Sequence, residues 1–348
     1  MESNQTMRTI LQAALLTLLT TAALAQDTLR TTTTLVVVPT LVQTPAKDIV
    51  YTLTADDFAL TDNGSPQKIK LEPASTQPLS LVVLVQIGGA APSQFKYYRH
   101  LETMLASLLE NGPDSGHAPN QVAIVNFDSH TEAASPFTTD VSEWTGAIDE
   151  PYPGDSGAAI LDGLAYALRM LSTQPANNRR AILLISQPTD SGSKTPLKQI
   201  LRTAAETNTA IYTLTFSPEK TAVKEALNAP AHLNPPIVVN SAVGPTQGYF
   251  DLSLPLALLL STMQKNLAAN IATLTGGETA AFDKQHTLDN ELATLSTHIR
   301  NRYLLTFQPA SPKPGLHKLE VRLPQHPELT IYARTHYWAA EPEPSPAK

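Results

Sequence analysis

The chain reads as an α/β protein with a mostly parallel sheet, joined to a smaller all-β unit. Three observations say so. Residues 80–85, 121–127, 181–186 and 210–216 are short, nearly continuous apolar runs that alternate with stretches whose apolar residues recur at helical spacing. Strands that are apolar on both sides need cover on both faces, and alternating helices supply it. Segments before residue 79 and after residue 309 show β character without helices. Finally, 348 residues with 42% hydrophobic content suffice to bury one large core and a smaller one.

The first element is a leader. Arg8 precedes an uncharged apolar stretch over residues 10–24, and Ala23-Leu24-Ala25 offers the small-x-small pattern of a signal-peptidase site before Gln26. Residues 1–25 are therefore expected to be a cleavable signal peptide, with cleavage near Ala25 and export to the periplasm, the cell envelope or the medium. No later apolar segment reaches spanning length, so an integral membrane protein is not expected after cleavage. With Cys 0 there is neither a disulfide framework nor a lipidatable cysteine.

Residues 26–78 form an N-terminal β segment, with strands expected at 31–42, 49–53, 58–61 and 67–71. Asp62-Asn63-Gly64 marks a turn, because Asn and Gly tolerate positive φ. Residues 79–309 carry the α/β pattern. The strand 80–85 leads through Gly88-Gly89 to a helix over 93–109 with Phe95, Leu101, Leu105 and Leu108 on one side. After the strand 121–127, residues 131–137 return antiparallel at an edge. A helix over 158–171 presents Ile160, Leu164, Leu168 and Leu171, and a strand 181–186, a helix 197–207 and a strand 210–216 follow. A Pro-rich irregular stretch, 228–248, precedes a helical run over 255–274 that Gly276-Gly277 stops, then a helix 288–300 and a strand 303–307. Residues 310–340 are a C-terminal β segment expected to pack with the N-terminal one. Residues 341–348 are a charged, Pro-rich tail expected to be disordered.

The order of these elements resembles a von Willebrand factor A domain, specifically the VWFA-related group of secreted bacterial proteins. Val36-Val37-Val38-Pro39, Leu53-Thr54-Ala55-Asp56-Asp57-Phe58 and Asp62-Asn63-Gly64-Ser65-Pro66-Gln67-Lys68-Ile69 are similar to that group's N-terminal segment. Leu274-Thr275-Gly276-Gly277 and Arg302-Tyr303-Leu304-Leu305-Thr306-Phe307-Gln308-Pro309 are similar to its C-terminal signatures. The resemblance implies a Rossmann-like domain with helices on both faces of the sheet, and a β-sandwich-like unit built jointly from the N- and C-terminal segments.

It also implies a metal-ion-dependent adhesion site, and there the chain departs from the pattern. The Asp-x-Ser-x-Ser trio falls on Gln86, Gly88 and Ala90, the later Thr on Ala158, and the last Asp on Gln187. Mg²⁺ and Ca²⁺ need hard oxygen donors and compensating carboxylate charge. Two neutral amides and three positions without a side-chain oxygen do not supply them, so no metal is expected. Asp155, Asp162 and Asp190 lie near the lost positions and are the candidates for a surrogate set; capping of loops and helix starts is the plainer role for them.

Other chemistry is thin. Lys+Arg 24 against Asp+Glu 31 gives a net charge of -7, which excludes a phosphate-neutralising surface and with it nucleic acid as a partner. The 9 histidines are scattered, with no His-Glu-x-x-His. Gly154-Asp155-Ser156-Gly157-Ala158 lacks the spacing and the preceding strand of a nucleophile elbow, and Gly88-Gly89-Ala90-Ala91 lacks the third glycine of a dinucleotide fingerprint. No catalytic residue and no cofactor is expected. What remains is the strand-edge surface, where open α/β sheets gather ligands: Gln86, Gly88, Gly89, Ala90, Asp155, Ser156, Ala158, Gln187 and Asp190. The expected function is non-enzymatic binding of an unidentified protein partner by this face without metal. The alternatives are a metal-dependent adhesin with surrogate ligands, or an α/β enzyme or small-ligand binder that uses the same crevice.

Overall fold

A computed structural model describes residues 35–72, 77–109, 119–149, 151–216, 239–240, 266–309 and 313–339. The expected signal peptide, most of the Pro-rich stretch 228–248, the first part of the helical run, residues 255–265, and the tail 341–348 lie outside them. Among the described residues no helix is long and apolar enough to cross a membrane.

The β-branched run Val36–Gln43 forms the first strand (β1), and Ala59–Asp62 (β2) and Ser65–Gln67 (β3) form a tight hairpin followed by Ile69–Glu72 (β4). The hairpin turns on Asn63 and Gly64, both at positive φ, 48° and 81°, as a two-residue turn of matching twist requires. Residues 49–53, expected as a strand, form none. Ile49 makes a single bridge to Gln43, and the Tyr303 hydroxyl accepts from Leu53 N and donates to Val50 O, so a side chain takes the place of a neighbouring strand.

The central sheet follows. Leu79–Gln86 (β5), Gln121–Phe127 (β6), Thr131–Thr138 (β7), Arg179–Ser186 (β8) and Thr209–Phe216 (β9) are interleaved with helices Leu101–Leu109 (α1), Thr145–Asp149 (α2), Ile160–Ser172 (α3) and Leu197–Glu206 (α4). Val239–Asn240 (β10), helix Leu267–Thr275 (α5), strand Thr279–Phe282 (β11) and helix Gln285–Arg300 (α6) come next. The sheet order is β11-β9-β8-β5-β6-β7, parallel except for the edge strand β7. Every residue of β5 is buried, and alternation divides them. Leu81, Val83 and Val85 meet Leu101, Leu105, Leu288, Leu292 and Ile299 on one face. Val82 and Leu84 meet Ile160, Leu164, Leu168, Ile200 and Ile271 on the other. The strand β11 was not expected from the sequence, because Thr-Ala-Ala-Phe carries little β signal of its own.

The last four strands, Tyr303–Phe307 (β12), Gly315–Arg322 (β13), Thr330–Ala333 (β14) and His336–Ala339 (β15), complete two antiparallel sheets, β10-β14-β1-β12-β4 and β15-β13-β2-β3. Val38, Val42, Phe58, Leu60, Leu305, Phe307, Val321, Ile331 and Tyr337 fill the space they enclose. The sequence had placed 303–307 with residues 79–309. The structure corrects that: β12 lies between β1 and β4, with Val38 opposite Leu305 and Leu305 opposite Leu71.

Helix α5 is fixed to the central sheet, and a polar network beyond it ties that sheet to β1. Thr275 Oγ1 accepts from Ile211 N at 3.0 Å, and Gly276 ends α5 in the left-handed region at φ 85°. Buried Arg302 donates to Gly276 O at 2.8 Å and pairs with Glu278, which also meets His298 Nδ1 at 2.7 Å, while Gln43 of β1 reaches His298 Nε2 at 3.2 Å. Burial acts to raise the Glu278 carboxyl, but Arg302 and His298 together hold it below the usual range.

His336 supplies a pH dependence. It is 5% exposed, and its Nε2 finds no partner among the described residues. Burial, then Lys318 and Arg334, push its imidazole down to about 3. The unfolded value is about 6.5, so its contribution to stability is complete above that pH and is lost as pH falls from there toward the folded value. Stability is expected to decline through this group as pH falls below about 6, by on the order of 1 kcal/mol per pH unit. Urea unfolding at pH 7, 6 and 5 should show a shallower decline in His336→Gln; identical slopes in the two proteins would refute the assignment.

Candidate functional site

Because β5, β6 and β8 run parallel, their carboxyl ends deliver three loops to one edge, residues 86–90, 128–130 and 187–193, and the segment 151–159 before α3 fills the space between them. Gln86 is fully buried and ties this edge together. Its Nε2 donates to Gly88 O at 2.9 Å and to Gln187 Oε1 at 3.2 Å, and its Oε1 accepts from Gln187 N at 2.9 Å. Gln187 Nε2 in turn donates to Thr189 O at 2.9 Å. Backbone bonds close the rest: Gly89 N to Asp155 O at 2.8 Å, Gly154 N to Ile87 O at 2.9 Å, and a two-way bridge between Ala158 and Ser191.

Gly88 has no room for a side chain. A Cβ there would stand 2.5 Å from Asp128 Cβ and from Gly157 O, and 2.6 Å from Asp155 O. Gln86, Gly88 and Ala158 are thus interior groups and cannot belong to a contact surface, which corrects their place in the expected partner face. Gly89, Asp155 and Ser156 are exposed, while Ala90, Gln187 and Asp190 are half-buried. The donors at 86, 88, 90, 158 and 187 do not fit a hard divalent cation, since the two amides are spent on each other and on backbone groups and no carboxylate stands among them.

Among the described residues the three surrogate candidates do not gather into one ligand group. Asp190 Oδ1 accepts from Leu161 N at 3.1 Å and caps the start of α3; Asp162 accepts from Lys194 N at 3.0 Å and Thr195 N at 2.8 Å. Asp155 instead joins two residues that sequence reasoning did not group with it. It and Asp128 each place a carboxylate oxygen, and His130 a ring nitrogen, within 4.8 Å of one another. The β6–β7 connection brings them there, and no spacing in the sequence signals it. These oxygens hold the loops: Asp128 accepts from His130 N at 2.7 Å and Asp155 N at 3.0 Å, and Asp155 accepts from Gly157 N at 2.7 Å and from the Ser129 hydroxyl. The Ser129 hydroxyl first, then the Gly157 N–H, holds the Asp155 carboxyl below its ordinary range, so it is ionised at neutral pH.

No protein-family profile matches the chain, and no curated protein matches it. Among solved structures it is similar to a von Willebrand factor type A protein from Catenulispora acidiphila, with 10% identity over 89% of this chain and 64% of that one and a TM-score of 0.44. It is also similar to an aerotolerance-related membrane protein from Bacteroides fragilis, at 13% identity over 64% of this chain and 98% of that one, TM-score 0.40. A conserved hypothetical protein, BatB, from Bacteroides thetaiotaomicron shows 14% identity over 64% and 97%, TM-score 0.37. At these identities the likeness concerns shape alone. The von Willebrand factor A-like character of the fold is read from the parallel sheet, its antiparallel edge and the helices on both faces.

Proposed function

We propose that this chain is a non-enzymatic interaction module of the cell envelope or its surroundings, and that it binds a protein partner through the exposed rim of the strand edge without a metal ion. The observation that supports this most directly is the Gln86–Gln187 amide pair. It joins the ends of β5 and β8 by internal hydrogen bonds, so the loops hold their positions with no ion to organise them. Around this closed centre Gly89, Asp155 and Ser156 stay exposed on loops that a rigid sheet positions, a common setting for recognition.

One observation favours a second reading: Asp128, His130 and Asp155 stand close enough to ligate a cation after a small movement. Thermal unfolding in Mg²⁺, Mn²⁺, Ca²⁺ and Zn²⁺, each against a chelator, separates the two. An ion at a hundred times its dissociation constant adds about 2.7 kcal/mol, and we expect no shift of the midpoint. A reproducible stabilisation that Asp155→Asn removes would replace the metal-free reading. Proximity labelling in the envelope, compared between the native chain and Ser156→Arg, tests the rim itself; an unchanged set of labelled proteins would remove it.

A further inference from the structure

We propose that Asn63 is a gated modification site: its side-chain amide cyclises onto Gly64 and hydrolyses to aspartate and isoaspartate when β13 releases the β2–β3 hairpin, and stays intact while the hairpin is docked.

The dipeptide supplies the chemistry. The main-chain nitrogen of Gly64 is tethered to the Asn63 carboxamide through the chain, so the attack is intramolecular. Gly64 has no side chain to shield that nitrogen, and both residues are exposed. In the first step a bond forms between Gly64 N and Asn63 Cγ, the Cγ–Nδ2 bond breaks, and ammonia leaves with the proton that Gly64 N gives up. In the second, water opens the cyclic imide. Cleavage between Gly64 N and Cγ gives aspartate; cleavage between Gly64 N and the main-chain carbonyl carbon gives isoaspartate, whose main chain is longer by one carbon. The other asparagines among the described residues precede larger residues, as at Asn120-Gln121, Asn178-Arg179 and Asn270-Ile271. A second Asn-Gly, Asn111-Gly112, lies outside them.

The fold supplies the gate. Asn63 N donates to Lys318 O at 2.8 Å, and Asn63 Oδ1 accepts from Lys318 N at 3.0 Å, so the carboxamide stands in for one more peptide group of the β2–β13 ladder. Its Nδ2 lies 3.1 Å from His317 Nδ1. These contacts fix the side chain, and the tight turn fixes the backbone at φ 48°. Bringing Cγ onto Gly64 N requires rotation of the side chain and of the backbone beside it, which breaks the bonds to Lys318. The neighbouring Asp62 is itself anchored: it is buried, accepts from the Tyr337 hydroxyl at 2.7 Å and meets His317 Nδ1 at 2.7 Å. Conversion is one-way. Isoaspartate lengthens a turn that needs Asp62 opposite Ser65, and either product sets a new carboxylate beside that of Asp62.

The test holds the intact chain in a series of urea solutions below its unfolding transition. Asn63 conversion is read by peptide mapping, hydrogen exchange is read at the Lys318 amide, and a synthetic peptide of residues 59–68 in each solution corrects for any effect of urea on the chemistry. Because the chemical step is slow against opening, conversion should rise in proportion to Lys318 exchange. In buffer, Asn63 in the folded chain should convert more slowly than in the peptide by on the order of tenfold or more. The isolated isoaspartate form should melt several degrees below the parent. Conversion in buffer at the rate of the peptide overturns the proposal, as does a conversion rate that stays constant while Lys318 exchange rises. An isoaspartate form with the parental midpoint overturns the one-way step.

Discussion

Gly277→Ala should cost about 4 kcal/mol or more of stability. A Cβ at this position would stand 2.0 Å from Ile211 O and 2.5 Å from its carbonyl carbon, both main-chain atoms of β9. Neither can yield: Ile211 lies opposite Ile182 in β8, and its N–H is held by Thr275 Oγ1 at 3.0 Å. Overpacking against side chains costs about 1–3 kcal/mol, and displacing a central strand exceeds that, so a loss of about 4 kcal/mol or more is expected. Against a stability of about 5–15 kcal/mol this lowers the unfolding midpoint by roughly 10 °C or sends the product into the insoluble fraction. Gly146→Ala is the control, because nothing lies within 4 Å of a Cβ there. Should circular dichroism melting find Gly277→Ala within about 2 °C of the parent, close packing against β9 is not why glycine stands there.

Gly88→Ser is expected to be the next most damaging change, at about 3 kcal/mol. It introduces a hydroxyl at a position where the resembled site would have one, yet two neighbouring loops, through Asp128 and through Asp155 and Gly157, already lie within 2.6 Å of the new Cβ. The substitution should push Asp128, Asp155 and Gly157 apart and create no ion site. Urea unfolding with and without 10-fold excess Mg²⁺ checks both halves; a variant that Mg²⁺ brings back to parental stability would show that the loops retain a latent cage.

Much of the architecture could be read in advance because local chemistry decided it. Fully buried parallel strands must be apolar on both faces, which is how Leu79–Gln86 and Arg179–Ser186 announce themselves, and Asn63-Gly64 dictates its hairpin through backbone freedom alone. Partners chosen from far along the chain were not legible. Tyr303–Phe307 has the composition of a central strand, and only its pairing with β1 and β4 shows where it belongs. At the edge, the strand pattern located the loops, and the family resemblance pointed to residues 86, 88, 90, 158 and 187. It could not tell that Gln86, Gly88 and Ala158 turn inward, nor that Asp128 and His130 arrive beside Asp155 from the β6–β7 connection. Those facts depend on loop packing, which has no period along the sequence.

The place of β1 between β12 and β14 bears on how the chain acquires its shape. β1 finds its neighbours only after the entire α/β layer has been made. Until then it is an unpaired edge, open to pairing with other chains, and the closure it awaits is slow because it is long-range. Refolding yield should therefore depend on protein concentration, and the nascent chain has reason to be escorted until its closing strands emerge.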